Sequence, residues 1–166
     1  ESWLDVTHSQ KLFGDGETIA NKIREQIKKE IGLTISVGVS FNKVFAKLGS
    51  DLKKPDAVTV ISQNNFKEKI WPLPASELLY VGKKTANKLS RIGINTIGDI
   101  ANSKEETLTR LLGKWGTYLQ IFALGYDATP VSKMGEESII KSVGNSTTAP
   151  RDLKDFNDVC IIFSVL

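Results

Sequence analysis

The 166 residues are 40% hydrophobic and 25% charged, the balance of a soluble globular chain. No run approaches the roughly 18 consecutive apolar residues of a membrane span. Twenty-two Lys and Arg against 19 Asp and Glu leave an excess of 3 positive charges, which is compatible with a polyanionic partner without requiring one.

In chain order, Trp3, Leu4 and Val6 alternate with Ser2, Asp5 and Thr7, which predicts a short strand. Asp15 is placed to cap a helix in which Ile19, Ile23, Ile27 and Ile31 recur on one face, and Gly32 supplies the stop. Residues 33–40 alternate at period two. One face is apolar and the other holds only small residues, so a strand is expected there with something approaching its small face closely. Asn42 can cap a second helix carrying Val44, Phe45 and Leu48. Lys53-Lys54-Pro55-Asp56 reads as a basic turn, and residues 57–61 as a third strand. Strand, helix, strand, helix, strand predicts an α/β layer over residues 1–71.

Pro72 and Pro74 mark a break, after which residues 75–125 read as short helices punctuated by glycine. Ser103 with Glu106 fits a capping box, and Trp115, Leu119, Phe122 and Leu124 fit the core face of the last of these helices. Residues 127–137 read as a polar linker and 138–144 as another strand, with a final helix from Asp155. Cys160 sits in the apolar run of residues 159–163 and is expected to be a buried small hydrophobe rather than a nucleophile. A lone cysteine and the lack of a signal segment fit a reducing, cytoplasmic setting. The opening reads as a strand already under way and the last apolar run breaks off, so the chain is expected to be part of something larger.

Chemistry is sparse. Leu79-Tyr80-Val81-Gly82-Lys83-Lys84-Thr85-Ala86 has the pattern of a helix-hairpin-helix, although Tyr80 stands where a first glycine is usual. A glycine there lets the backbone approach a phosphate. The free N–H groups opening the next helix then meet that phosphate, with Lys83 and Lys84 adding charge and no base readout. The alternative is an ordinary helical turn with solvated lysines. Lys54, fixed in direction by Pro55, is a candidate for neutralising a triphosphate. Glu1 and Asp5 would lie about 13 Å apart on a strand, too far to share the metal pair, roughly 4 Å apart, of a two-metal site. His8 stands alone, and no catalytic triad, Cys-x-x-Cys or phosphate-binding glycine loop is present.

Taken in order, these segments resemble the Y-family DNA polymerases of the DNA polymerase IV branch. Residues 1–7 resemble the end of that family's first palm motif. Residues 36–47 with Lys54-Pro55-Asp56 resemble its second. Residues 81–94 are similar to its thumb hairpin, 113–116 and 125–131 to the thumb's end, and Lys141-Ser142-Val143-Gly144 to the opening of its little finger. The resemblance implies part of an α/β palm over 1–71, a helix-hairpin-helix thumb over 72–128, a linker over 129–137 and the start of an α+β little finger over 138–166.

It also implies roles. Glu1 would help position metal ions and the primer terminus, with Mg2+ as cofactor. Lys54 would contact the triphosphate of the incoming nucleotide. Val81, Gly82, Lys83, Lys84 and Thr85 would hold a duplex phosphate, with a monovalent cation on carbonyls such as those of Ser76 and Val81. Ser142 and Gly144 would follow the template backbone. Primer-template DNA, a deoxynucleoside triphosphate and a sliding clamp are the implied partners of the whole enzyme, although the clamp-binding tail is not recognisable here, and no membrane is implied. The palm's aspartates, the fingers and most of the little finger have no counterpart in these residues. The chain by itself is therefore expected to bind DNA without copying it, and its incomplete palm to expose an apolar edge that can self-associate. The rival reading is a non-catalytic helix-hairpin-helix module of another repair protein, which explains 75–125 but not 36–54.

Overall fold

The structure, a computed structural model, describes residues 2–133, 135 and 142–164. It divides into two compact units, residues 1–131 and 132–166.

In the first unit a short helix α1 (Gln10–Phe13) precedes the capped helix α2 (Gly16–Ile31). Asp15 Oδ1 accepts from the Thr18 N–H at 2.9 Å, and Gly32 ends α2 in the left-handed region at φ 74°. Of the isoleucine stripe, Ile19 is buried while Ile31 is 64% exposed. Strand β1 (Val37–Ser40), helix α3 (Lys43–Leu52) and strand β2 (Val58–Ile61) follow. The strands pair in parallel, Val37 opposite Val58 through Ser40 opposite Ile61.

The close approach expected on the small face of β1 is made by α3. A Cβ on Gly38 would lie 1.8 Å from the Ala46 carbonyl oxygen and 2.6 Å from the Ser50 nitrogen. Only a glycine lets the helix settle at this depth.

The sheet is smaller than the sequence pattern indicates, with two strands among the described residues. Residues 2–6 form no strand. Asp5 Oδ1 accepts from the Thr7 N–H at 3.0 Å, a local turn that ends the extended run. Residues 33–36 also stay outside β1, because β2 offers four partners and no more. The free edge of β1 and the inner face of α2 line an apolar cleft of about 430 Å3 containing Ile19, Ile23, Ile27 and Val37, in line with the apolar edge expected of residues 1–71.

Beyond helix α4 (Phe66–Ile70) and a 3-10 turn (Ala75–Glu77) the chain is helical: α5 (Lys83–Ser90), α6 (Ile97–Asn102), α7 (Glu105–Leu112) and α8 (Lys114–Ala123). The capping box sits one helix earlier than Ser103 and Glu106 imply. Thr96 Oγ1 accepts from the Asp99 N–H at 3.0 Å and Asp99 Oδ2 from the Thr96 N–H at 2.8 Å. Ser103 instead donates its hydroxyl to the Asp99 carbonyl at 2.6 Å, closing α6.

A single apolar cluster runs from Val44, Phe45 and Leu48 through Ile61, Phe66 and Ile70 to Leu78, Leu89, Ile97, Leu108 and Leu119. Its seam is aromatic: Phe45 lies 5.4 Å from Phe66, and Phe66 stands edge-on to Trp71 at 6.3 Å. Leu119 is buried, as its place on the α8 stripe implies, but Trp115 is 53% exposed.

In the second unit Asp155 caps α9 (Phe156–Phe163), its Oδ1 accepting from the Asp158 N–H at 2.9 Å. Helix α9 buries none of these residues, and Cys160 is exposed rather than buried. Phe156, Ile161 and Phe163 of this helix are exposed, while Val159 and Ile162 are half-buried. Of the strand expected over 138–144, residues 138–141 lie outside the described residues, and 142–144 carry no regular structure.

Asn42 joins the two halves of the first unit. Its Oδ1 accepts from the Phe45 N–H at 2.8 Å, capping α3, and its Nδ2 donates to the Gly125 carbonyl at 2.8 Å. Asn42→Asp keeps the cap and loses the donor, so it should lower unfolding stability by about 1 kcal/mol, whereas Asn42→Ala loses both and should lower it by about 2–3 kcal/mol. Urea unfolding midpoints of the three proteins test that order.

Candidate nucleic-acid interface

The turn before α5 is the best-formed candidate for holding a phosphate. Leu78 and Val81 are buried, at 1% and 5% exposure, and Leu89 is fully buried. These apolar anchors fix both ends of the turn, whose Val81 N–H donates to the Leu78 carbonyl at 3.0 Å. Tyr80 adopts φ 73°, a left-handed conformation costing a bulky residue about 1 kcal/mol. The sharp bend is therefore made at the position where glycine is usual, with tyrosine in its place.

Gly82, by contrast, has φ −76°, which any residue adopts, and a Cβ there would meet nothing within 4 Å. Its contribution is open space at the helix start. No side chain caps α5, and the first N–H groups of a helix have no partner within it. Lys83 and Lys84 are exposed beside them and Thr85 is half-buried.

Charge distribution singles out the same region. Residues 75–126 contain seven Lys and Arg (83, 84, 88, 91, 104, 110 and 114) and four Asp and Glu (77, 99, 105 and 106). The rest of the chain has 22 − 7 = 15 basic and 19 − 4 = 15 acidic residues, so the net positive charge resides entirely in the helical segment.

Lys54 lies elsewhere, after α3. Its Nζ is 2.6 Å from Asp51 Oδ1, and Lys47 Nζ is 2.7 Å from Asp51 Oδ2. Hydrogen bonding from Lys47, then from Lys54, holds the Asp51 carboxyl below its ordinary range. Two residues after Lys54, Asp56 has φ 55°. Lys28 Nζ reaches its Oδ2 at 2.6 Å, while Arg24 Nη1 reaches its Oδ1 at 3.1 Å and its carbonyl at 2.8 Å. The basic turn is thus pinned to α2 and α3.

Glu1 lies outside the described residues. Ser142 and Gly144 are exposed positions of the second unit. Among the described residues no group of His, Cys, Asp or Glu is arranged to hold a metal ion, and no helix is long and apolar enough to cross a membrane.

Two features have no clear mark in the sequence. One is a groove of about 630 Å3 lined by Trp3, Asp5, Asn42, Lys43 and residues 127–131, with Lys43 Nζ donating to the Pro130 carbonyl at 3.0 Å. The other is a set of exposed rings on α8 that faces Tyr80.

A parallel strand–helix–strand layer continuing into a helical segment is shared with solved Y-family DNA polymerases. DinB from Sulfolobus solfataricus superposes with TM-score 0.68 at 29% identity, over 77% of this chain and 38% of that one. A Y-family DNA polymerase chimera superposes with TM-score 0.69 at 30% identity, over 78% and 38%. The model of the impB/mucB/samB family matches residues 1–51. DNA polymerase IV of Acetivibrio thermocellus is 63% identical over all 166 residues, which amount to 42% of its length. The chain is a homologue of the Y-family DNA polymerases and spans about two fifths of the curated relative it matches.

Since the Asp51 carboxyl is depressed by Lys47 and Lys54, the stability this trio contributes is full above the ordinary carboxylate range and is lost as pH falls through the lower, folded-state value. Replacing Lys54 by Met should shift the Asp51 midpoint upward, toward the ordinary value. Carboxyl NMR titration of both proteins measures this, and an unmoved midpoint would show that Lys54 is not held by Asp51.

Proposed function

We propose that this chain provides a Y-family translesion DNA polymerase with its grip on DNA. The supporting observation is the uncapped start of α5, opened by the left-handed turn at Tyr80 and flanked by exposed Lys83 and Lys84, in the segment that holds the whole positive excess of the chain. A duplex phosphate would take the N–H groups of residues 82–85 as donors, and the helix dipole and the two lysines would add attraction that is indifferent to base sequence. In this reading residues 1–71 are palm, 72–128 thumb, and 138–166 the beginning of a little finger whose Ser142 and Gly144 follow the template backbone.

The polymerase as a whole would carry out template-directed nucleotidyl transfer from deoxynucleoside triphosphates during damage bypass in the cytoplasm, tethered by a sliding clamp. Lys54 would meet the triphosphate, with Asp51 setting its direction. Divalent metal ions would supply charge neutralisation for that transfer. The residues described here bring no carboxylate cluster together, and in this reading Glu1 would be the residue of the chain that helps hold those ions. A monovalent cation on the carbonyls of Ser76 and Val81 belongs to the same proposal. So does association of two copies through the free β1 edge.

Binding of this kind is mostly counterion release, so it must weaken steeply with salt. Lys83→Ala combined with Lys84→Ala should weaken binding of a primer-template duplex about equally for unrelated sequences. It should also flatten the slope of log affinity against log salt by up to about 2. Fluorescence anisotropy over a salt series measures both, and a slope unchanged by the double substitution would remove these lysines from the interface.

A further inference from the structure

Three exposed aromatic rings of the helical segment lie together on its surface. Tyr80, Trp115 and Tyr118 are 59%, 53% and 51% exposed. Tyr80 lies on Trp115 with 5.6 Å between ring centroids and 22° between planes, and Tyr118 stands edge-on to Trp115 at 5.6 Å and 82°. Phe122 backs Tyr80 at 5.8 Å and is itself packed on the core. The rings thus form a shelf anchored on one side and open to solvent on the other.

Backbone strain and charge say what the shelf is for. At φ 73° a glycine would be relaxed, yet the position holds a ring more than half exposed, and strained positions that persist in a fold cluster at functional sites. The two stretches that build the shelf, residues 78–98 and 107–126, contain six Lys and Arg (83, 84, 88, 91, 110 and 114) and no Asp or Glu. Protein-binding patches are depleted in lysine, whereas exposed aromatics interleaved with cations are the make-up of surfaces that bind single-stranded nucleic acid.

We propose that Tyr80 and Trp115 form a stacking platform for an unpaired base of a DNA strand whose phosphates run along Lys83, Lys84 and Lys114. The platform rests on the DNA-gripping reading of α5 and extends it from duplex phosphate to a strand with exposed bases. Every base has a π-face, so the preference is for unpaired bases over paired ones and not for a sequence.

The test compares three labelled ligands of equal charge on the intact chain: an oligothymidylate of about twelve nucleotides, a base-free deoxyribose-phosphate strand of the same length, and a blunt duplex. Wild-type protein should bind the oligothymidylate about tenfold more tightly than the base-free strand, as one stacked base implies. Tyr80→Gly and Trp115→Leu should each bring the oligothymidylate toward the base-free level. Trp115→Leu, which lies outside the turn before α5, should leave base-free and duplex affinities unchanged, with far-UV circular dichroism confirming the fold. Equal wild-type affinity for the two single strands overturns the platform while the phosphate grip stands, and this comparison holds even if a variant fails to fold. No binding of any ligand overturns the grip and the platform together.

Discussion

The C-terminal end of α8 is the joint on which the first unit depends. A helix leaves its last four carbonyls without intrahelical partners, and here all four are satisfied. Leu124 N–H bonds Gln120, Tyr126 N–H bonds Ile121, and Gly125 N–H bonds Phe122. The last two form a Schellman motif around Gly125 at φ 87°. The fourth carbonyl, Ala123, is met from the other half of the unit by Trp71 Nε1 at 3.1 Å. Gly125 then offers its own carbonyl to Asn42. Leaving such groups buried and unpaired costs about 1–3 kcal/mol each, so the strand–helix–strand layer and the helical segment are held in one arrangement. Phe45, fully buried, closes the seam: a Cβ on Gly125 would lie 3.2 Å from its ring.

Two other joints use backbone against backbone. Gly38 lets α3 onto β1, and Gly116 lets α8 onto α7, where a Cβ would fall 2.3 Å from the Leu108 carbonyl oxygen. Neither site admits a side chain, which leaves little freedom for the elements to slide. The Tyr80–Gly82 turn is mounted on this scaffold through Leu78, Val81 and Leu89. The N–H groups at the start of α5 are therefore presented by a fixed helix and not by a loop that must order on binding, which would lower the entropic cost of the proposed phosphate capture.

What could be read from the sequence follows the range of each interaction. Asp15, Asn42 and Asp155 were legible as caps because a cap is decided within three residues. Ser103 misled because its hydroxyl had a choice, and the preceding helix took it. The alternation over residues 33–40 correctly marked a strand with a closely approached face, but a strand extends only as far as a neighbour pairs with it, and β2 stops after four residues. The same constraint leaves residues 2–6 without strand structure. The turn before α5 was visible as a candidate for holding a phosphate, although tyrosine at its bend concealed the left-handed backbone. The aromatic shelf was invisible, since Tyr80 and Trp115 are far apart in sequence and the helical period alone assigns Trp115 to the core.

The ion pairs of the first unit gather around the turn at Lys54. In the strand–helix–strand layer Arg24 and Lys28 converge on Asp56, and Lys47 and Lys54 on Asp51. In the helical segment, by contrast, Asp99 is occupied with backbone N–H groups of its own capping box and Glu105 accepts from Thr117. No ion pair among the described residues engages the segment's seven cations. A paired cation is held in place by its carboxylate, as Lys54 is by Asp51. Unpaired ones carry only solvent and counterions, whose release drives association with DNA. Arg24, Lys28, Lys47 and Lys54 therefore hold the turn at Lys54 in shape, and the cations of the helical segment would be the ones free to face a phosphate backbone in the proposed grip.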